Sequence, residues 1–127
     1  MLRDPEVQEL ARTYGPMLDA LQQALDAEFG PLSWAPRSDP AAATRHDGSS
    51  ALRVGAINAI GVPTSQLDPP AITRAVNQVL ARWDFPEQPE MTGSPSGELI
   101  CEAVDDRGAE FTLLIKMAVD AWVDQPL

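Results

Sequence analysis

The sequence predicts an α+β fold: a two-layer sandwich in which two helices cover one face of a mostly antiparallel sheet. Three observations predict it. Two segments carry a single apolar stripe at helical spacing, the C-terminal third alternates apolar and polar residues as a half-buried strand does, and a strand-like run separates the two helices. Residues 1–127 are most simply one domain, ordered helix, strand, helix, strand, strand.

The first helix is predicted from residue 4 to residue 29. Asp4 suits the N-cap, Pro5 fits the first turn, and Gly30-Pro31 provides a stop. Pro16 lacks the amide hydrogen that an inner turn needs, which predicts a kink there. The apolar stripe consists of Val7, Leu10, Tyr14, Met17, Leu18, Leu21, Leu25 and Phe29.

The first long strand is predicted over 51–62, after a short extended piece at 32–35 and an exposed loop at about 36–50. The loop is rich in Pro, Ala, Ser, Asp and Gly and offers little to bury. Along the strand the alternation slips after Ile57, and a bulge or bend near Gly55 or Asn58 would explain the slip.

The second helix begins at Asp68-Pro69-Pro70, where Asp68 is the predicted cap, and it ends before Pro86. A second exposed loop, rich in Pro and Gly, is predicted over about 86–97. The apolar stripe of the helix consists of Ile72, Val76, Val79, Leu80 and Trp83.

A β-hairpin closes the predicted fold, with strands at 98–104 and 109–119 around a turn at 105–108. Gly108 supplies the positive φ that such a turn requires, and Trp122 extends the returning strand or packs over its end. The inward face of that strand is predicted to carry Phe111, Leu113, Ile115, Met117 and Val119.

The composition makes two classes of partner unfavourable. The formal charge is −10, from 19 acidic against 9 basic residues, and such a field repels nucleic acid and anionic lipid surfaces. No run of apolar residues is long enough to predict a membrane-spanning helix. The remaining partners are an unidentified protein or a small ligand.

Residues that commonly perform catalysis are scarce and scattered. His46, Cys101, Lys116 and Tyr14 each occur once as a residue type, and no two are close in sequence. Paired carboxylates such as Asp105-Asp106 are interpreted as turns, caps or solvated faces, and Cys101 as a small buried hydrophobe. The sequence therefore predicts a protein that is not an enzyme and that has no cofactor and no metal site.

The three tryptophans are the best candidates for a binding surface. They are expected to seal edges of the core, since each closes an element and has a proline nearby. The alternative is a groove lined by Trp and Pro that receives an extended peptide or a hydrophobic ligand. The candidate residues are Trp34, Trp83 and Trp122.

The N-terminal third resembles the LppA-like family of small actinobacterial lipoproteins. The resemblance lies in Arg3-Asp4-Pro5-Glu6 through Tyr14, in the segment 28–34 (Glu-Phe-Gly-Pro-Leu-Ser-Trp), and in the order of elements. It implies a secretion leader and a lipid-attached cysteine outside this chain, and a location at the cell envelope. The expected function is a non-enzymatic envelope lipoprotein domain that binds a partner. The alternative is a cytoplasmic binding module, such as a secretion chaperone or an immunity protein.

Overall fold

The computed structural model describes residues 3–45, 47–63, 67–93 and 97–127. Within them lie two helices and six strands, which confirms the predicted α+β class. The elements are α1 (Asp4–Phe29), β1 (Ser33–Trp34), β2 (Ala41–Thr44), β3 (Ser50–Ile60), α2 (Pro69–Arg82), β4 (Leu99–Val104), β5 (Glu110–Ile115) and β6 (Ala118–Pro126).

All strand pairs in the single sheet are antiparallel. The order is β1-β3-β6-β5-β4, and β2 pairs with the same edge of β3 that β1 uses. The last strand, β6, therefore lies in the middle of the sheet, between β3 and β5. A register shift between Arg53 and Gly55 interrupts the β3–β6 ladder, which confirms the predicted irregularity at Gly55.

One face of the sheet forms the core against the helices. The buried strand residues alternate with exposed or half-buried ones, as they must when one face is packed and the other is not. Both helices turn their apolar stripes to this core. Side chains that are almost completely buried include Met17, Leu18, Leu21, Ile72, Leu80, Phe111, Leu113, Ile115 and Val119.

The starts of the two helices differ in how they are capped. In α1 the N-cap is Arg3, and no side chain caps the free amides, so the predicted capping role of Asp4 is wrong. In α2 the predicted cap is confirmed, because the Asp68 carboxylate accepts a hydrogen bond of 3.4 Å from the Ala71 amide. Within the described residues no helix is both long enough and apolar enough to cross a bilayer.

Helix α1 continues through Pro16, and side chains from elsewhere in the fold bond to carbonyls next to it. The indole Nε1 of Trp83 donates to the Thr13 carbonyl at 2.7 Å, and Nη1 of Arg37 donates to the Gly15 carbonyl at 2.9 Å. These two contacts fasten α2 and the segment after β1 to the same turn of α1.

The structure corrects the predicted loop at 36–50, because Ala41–Thr44 form β2 and pair with residues 50–53 of β3. This edge strand is held by backbone hydrogen bonds and buries few side chains. An alanine-rich run of this kind carries no apolar alternation, and so the sequence pattern could not reveal it. In the predicted loop at 86–97, the described residues include one isolated bridge, between Gly93 and Leu99.

The predicted returning strand at 109–119 is in fact two strands joined by a tight turn at Lys116 and Met117. Ile115 pairs with Val119 across this turn, and the Lys116 amide donates to the Ala118 carbonyl at 3.0 Å. Met117 was expected in the core but is 70% exposed. The apolar alternation continues through the turn without a Gly or Pro to mark it, which is why the pattern predicts one strand.

A buried polar contact joins α1 to the β4–β5 turn. The Tyr14 hydroxyl donates to Oδ2 of Asp105, while Oδ1 of Asp105 accepts from the Arg107 and Ala109 amides, each at 2.9 Å. Asp105 is buried, and its predicted place in a hairpin turn is confirmed.

Candidate functional site

The face of the sheet away from the helices is open, and we refer to it as the open face. The strand registers place the side chains of neighbouring strands in rows across it. One row contains Arg53, Asp124, Glu110 and Val104, and the next contains Ala56, Trp122, Thr112 and Glu102. Polar and apolar groups therefore alternate within a few ångströms on a surface that the helices do not cover.

Trp122 lies near the centre of the open face, within the central strand β6. The guanidinium carbon of Arg53 stands 4.8 Å from the centre of its indole ring, a cation–π arrangement. Arg53 is held there by Asp124, through hydrogen bonds of 2.9 Å from Nε and 3.1 Å from Nη2. A forked pair of this kind fixes the guanidinium plane as well as its position.

A second forked pair lies beside the first, across the β5–β6 ladder. Nε of Arg45 donates to Oε1 of Glu110 at 3.0 Å, and Nη2 donates to Oε2 of the same carboxylate. The hydrogen bond to Glu110 raises the pKa of Arg45. Arg45 belongs to the connection between β2 and β3, so this pair attaches that connection to the rim of the open face.

Asp47 occupies the same connection. Its Oδ1 accepts from the Ser49 hydroxyl at 2.5 Å and from the Ser49 amide at 2.9 Å. These hydrogen bonds, with the hydroxyl contributing most, lower the pKa of Asp47 below its ordinary value. The carboxylate is consequently charged at neutral pH.

These groups surround a cleft of about 620 Å³, which we call the Trp122 cleft. It extends from the Arg45–Asp47 connection across the open face to the segment after α2. Its charged lining consists of four carboxylates and two guanidiniums. The residues that carry its chemistry are Arg45, Asp47, Arg53, Glu102, Glu110 and Asp124, together with Thr112, Val104, Pro86 and Trp122.

A groove of similar volume, about 640 Å³, runs along α2, and two of its polar side chains, Asn77 and Thr73, bond to the segment after the helix. Asn77 donates to the Gln88 carbonyl and accepts from the Gln88 amide, each at 2.9 Å. The Thr73 hydroxyl accepts from the Met91 amide at 2.9 Å. These hydrogen bonds attach the segment after α2 to the helix.

The three tryptophans proposed from the sequence do not meet. Trp34 packs against the core and donates its Nε1 hydrogen to Asp26 at 2.9 Å, and Trp83 packs against the core where α2 ends. Trp122 was expected to close an element, yet it lies in the middle of β6 and on the open face. Only Trp122 contributes to the Trp122 cleft.

Two of the groups that might have performed catalysis, Tyr14 and Cys101, are buried in the core. Burial, followed by the hydrogen bond to Asp105, raises the pKa of Tyr14, and burial raises the pKa of the Cys101 thiol to about 11. The predicted burial of Cys101 is confirmed. Lys116 lies in the β5–β6 turn, and His46 is outside the described residues. Among the described residues, no group of three or more His, Cys, Asp and Glu side chains could hold a metal ion.

The charged residues around Trp122 were not predicted as a site from the sequence. Asp124 lies beyond the predicted end of the last strand, and Arg45 lies in the predicted loop. The available signal was the segment 120–124, in which Asp120, Trp122 and Asp124 alternate with the apolar residues Ala121 and Val123. Extending the alternation to residue 124 would have placed all three on one face.

Comparison of the chain with models of known protein families, with curated proteins and with solved structures finds no match in any of the three.

Proposed function

We propose that this protein is a non-catalytic binding domain that uses the Trp122 cleft to bind a partner protein or a small ligand. The observation that carries the proposal is a large aromatic side chain in the middle of a sheet face that the helices leave open, framed by two forked arginine–carboxylate pairs. Tryptophan and arginine are the residues that most often dominate binding energy at interfaces.

The states of the ionisable groups support binding rather than catalysis. A nucleophile or general base is most effective when its pKa lies near the working pH. The pKa values of Tyr14 and Cys101 are both raised, which moves them further from neutral pH, and both side chains are buried. In the Trp122 cleft, Arg45 bonds to Glu110 and Arg53 bonds to Asp124, and these two pairs give that part of the surface a fixed shape.

A random-peptide library and a set of small molecules, selected on the wild-type protein, would test this proposal. Binders should lose most of their affinity for Trp122→Ala, because the indole forms the middle of the surface. Ile60→Ala is the matched control, since Ile60 is 64% exposed in β3 and does not line the cleft. Binders that bind Trp122→Ala as tightly as the wild type would contradict the proposal.

For the location we propose the cell envelope, on the strength of the resemblance in residues 3–34 to the LppA-like lipoproteins. Reading the codons upstream of Met1 in the native gene tests this. A secretion leader ending in a cysteine supports an envelope lipoprotein, whereas a natural start codon at Met1 contradicts it.

The alternative is a cytoplasmic module of the secretion-chaperone or immunity-protein type, and the net charge of −10 favours it. A strongly acidic surface suits a basic partner, because complementary potentials accelerate encounter. Co-purification of a secreted effector or a toxin in a defined complex would support this alternative, and recovery from native lysate as a free monomer would count against it.

A further inference from the structure

The charges of the Trp122 cleft indicate the chemistry of what it binds. Both guanidiniums are already engaged: Arg45 with Glu110, and Arg53 with Asp124 and the Trp122 ring. Glu102 lines the same cleft on β4 and is exposed, and its carboxylate has no hydrogen bond or ion pair with any residue that the structure describes. The cleft therefore has unbalanced negative charge on its β4 side.

Geometry relates this carboxylate to the indole. Glu102 pairs with Thr112, and Thr112 pairs with Trp122, so the two side chains stand two strand spacings apart on one face. At about 4.8 Å per spacing, the separation is roughly 10 Å. An extended chain rises about 3.3 Å per residue, and three of its residues would cover this distance.

We propose that the Trp122 cleft binds a short extended peptide segment that carries lysine or arginine, with one cation at Glu102 and the segment lying across Thr112 to Trp122. The inference rests on the proposed binding function and specifies its partner. The lining of the cleft has four carboxylates and only two guanidiniums, so the surface around the indole attracts positive charge.

The alternatives to a basic peptide fit this surface less well. A second copy of this chain would bring together two proteins of charge −10, and a nucleic acid would bring phosphates to the same field. A small free amine could neutralise Glu102 but could not reach Trp122 at the same time. The apolar groups at the cleft, including Val104 at 51% exposure, suit the aliphatic parts of lysine and arginine side chains.

Three probes test the proposal on the whole chain by NMR titration: a short capped lysine–alanine peptide, its glutamate–alanine counterpart, and lysine amide. The lysine–alanine peptide should shift the Thr112 amide and the Trp122 indole resonance, and its affinity should fall as salt is added. Lysine amide should bind more weakly than the peptide. The glutamate–alanine peptide should leave these resonances unchanged.

Two variants locate the interaction. Glu102→Gln should weaken binding of the lysine–alanine peptide about twofold to fivefold, the range expected for one solvent-exposed ion pair. Glu28→Gln makes the same charge change at an exposed position of α1 and should leave the affinity unaltered.

Equal binding of the two peptides, equal loss in both variants, or shifts confined to residues outside the cleft would each overturn the inference, as would the absence of any shift at millimolar peptide. Such a failure is distinct from that of the proposed function. If library binders without basic residues still depend on Trp122, the face is a binding surface and only its preference for cations is wrong. If no binder depends on Trp122, both proposals fail.

Discussion

Replacing Tyr14 by Phe should destabilise the protein by about 2 kcal/mol at neutral pH. The substitution keeps the ring, which packs edge-on against Phe85 at 6.3 Å between centroids, and removes only the hydroxyl that donates to Asp105. Hydrogen bonds to charged groups contribute about 1.5–3 kcal/mol. Asp105 is buried but retains two backbone donors, which places the expected loss near the middle of that range.

The loss should appear as a lower midpoint of urea unfolding with an unchanged slope. At about 2.1 cal/mol/K of unfolding entropy per residue, a chain of this length should lose about 7 °C in Tm. Asp105→Asn alone and combined with Tyr14→Phe completes a double-mutant cycle. A coupling energy well above about 0.5 kcal/mol is expected for groups in direct contact. A Tyr14→Phe variant as stable as the wild type would refute the reasoning.

The same pair of proteins should differ in its response to alkaline pH. Burial and the bond to Asp105 raise the pKa of Tyr14 above its ordinary value of 10.0. A phenol whose pKa is higher in the folded state stabilises the fold fully below pH 10, and this contribution disappears as the pH rises towards the folded-state pKa. The stability difference between wild type and Tyr14→Phe should therefore shrink above pH 10. A difference that stays constant would show that Tyr14 does not couple to folding through its proton.

One chemical treatment and three substitutions test other contacts. Cys101 has a pKa of about 11 and is buried, so a thiol reagent at pH 8 should label it at the rate of unfolding; rapid labelling of the native protein would contradict its burial. Asp68→Ala should lower the free energy of unfolding, measured by urea titration, by about 0.5–1 kcal/mol. This is the lower part of the range for N-caps, because the hydrogen bond that caps α2 is long at 3.4 Å. An unchanged free energy of unfolding would mean that water replaces the cap. Trp83→Phe should lower the free energy of unfolding by about 1 kcal/mol or more, because the Thr13 carbonyl loses its indole donor. Trp122→Phe should lower it by less, because Trp122 lies on the open face. A larger loss of stability in Trp122→Phe than in Trp83→Phe would contradict these placements.

The periodic apolar positions made the fold class predictable. In both helices and in the first long strand, the apolar residues recur at the spacing that burial of one face requires. Asp68 at the start of α2 and Gly30 after the end of α1 are residue types that favour helix ends, so these two ends could also be predicted. The two errors in the strands have one cause. β2 and the turn at Lys116 depend on backbone pairing between strands that follow each other in the chain, and backbone pairing leaves no trace in side-chain periodicity.

The candidate site was predictable only at Trp122. The residues around it come from the β2–β3 connection, from β3 and from the end of β6, and the sheet order brings them together. Arg53 and Asp124 are separated by 71 positions in sequence, and Arg45 and Glu110 by 65. A single sequence gives no way to pair such residues until it is known that β6 lies between β3 and β5.

The central position of β6 has a kinetic consequence. Strands β3 and β5 share no hydrogen bonds with each other and are joined only through residues 118–126. During synthesis the helices and the β4–β5 hairpin can form early, but β3 must wait for the last strand of the sheet while some 60 intervening residues are made. Long-range pairing of this kind slows folding, because loop closure precedes the stabilising contacts. The sheet is therefore completed in one late step, and until that step one hydrogen-bonding edge of β3 and one of β5 remain unpaired and open to other chains.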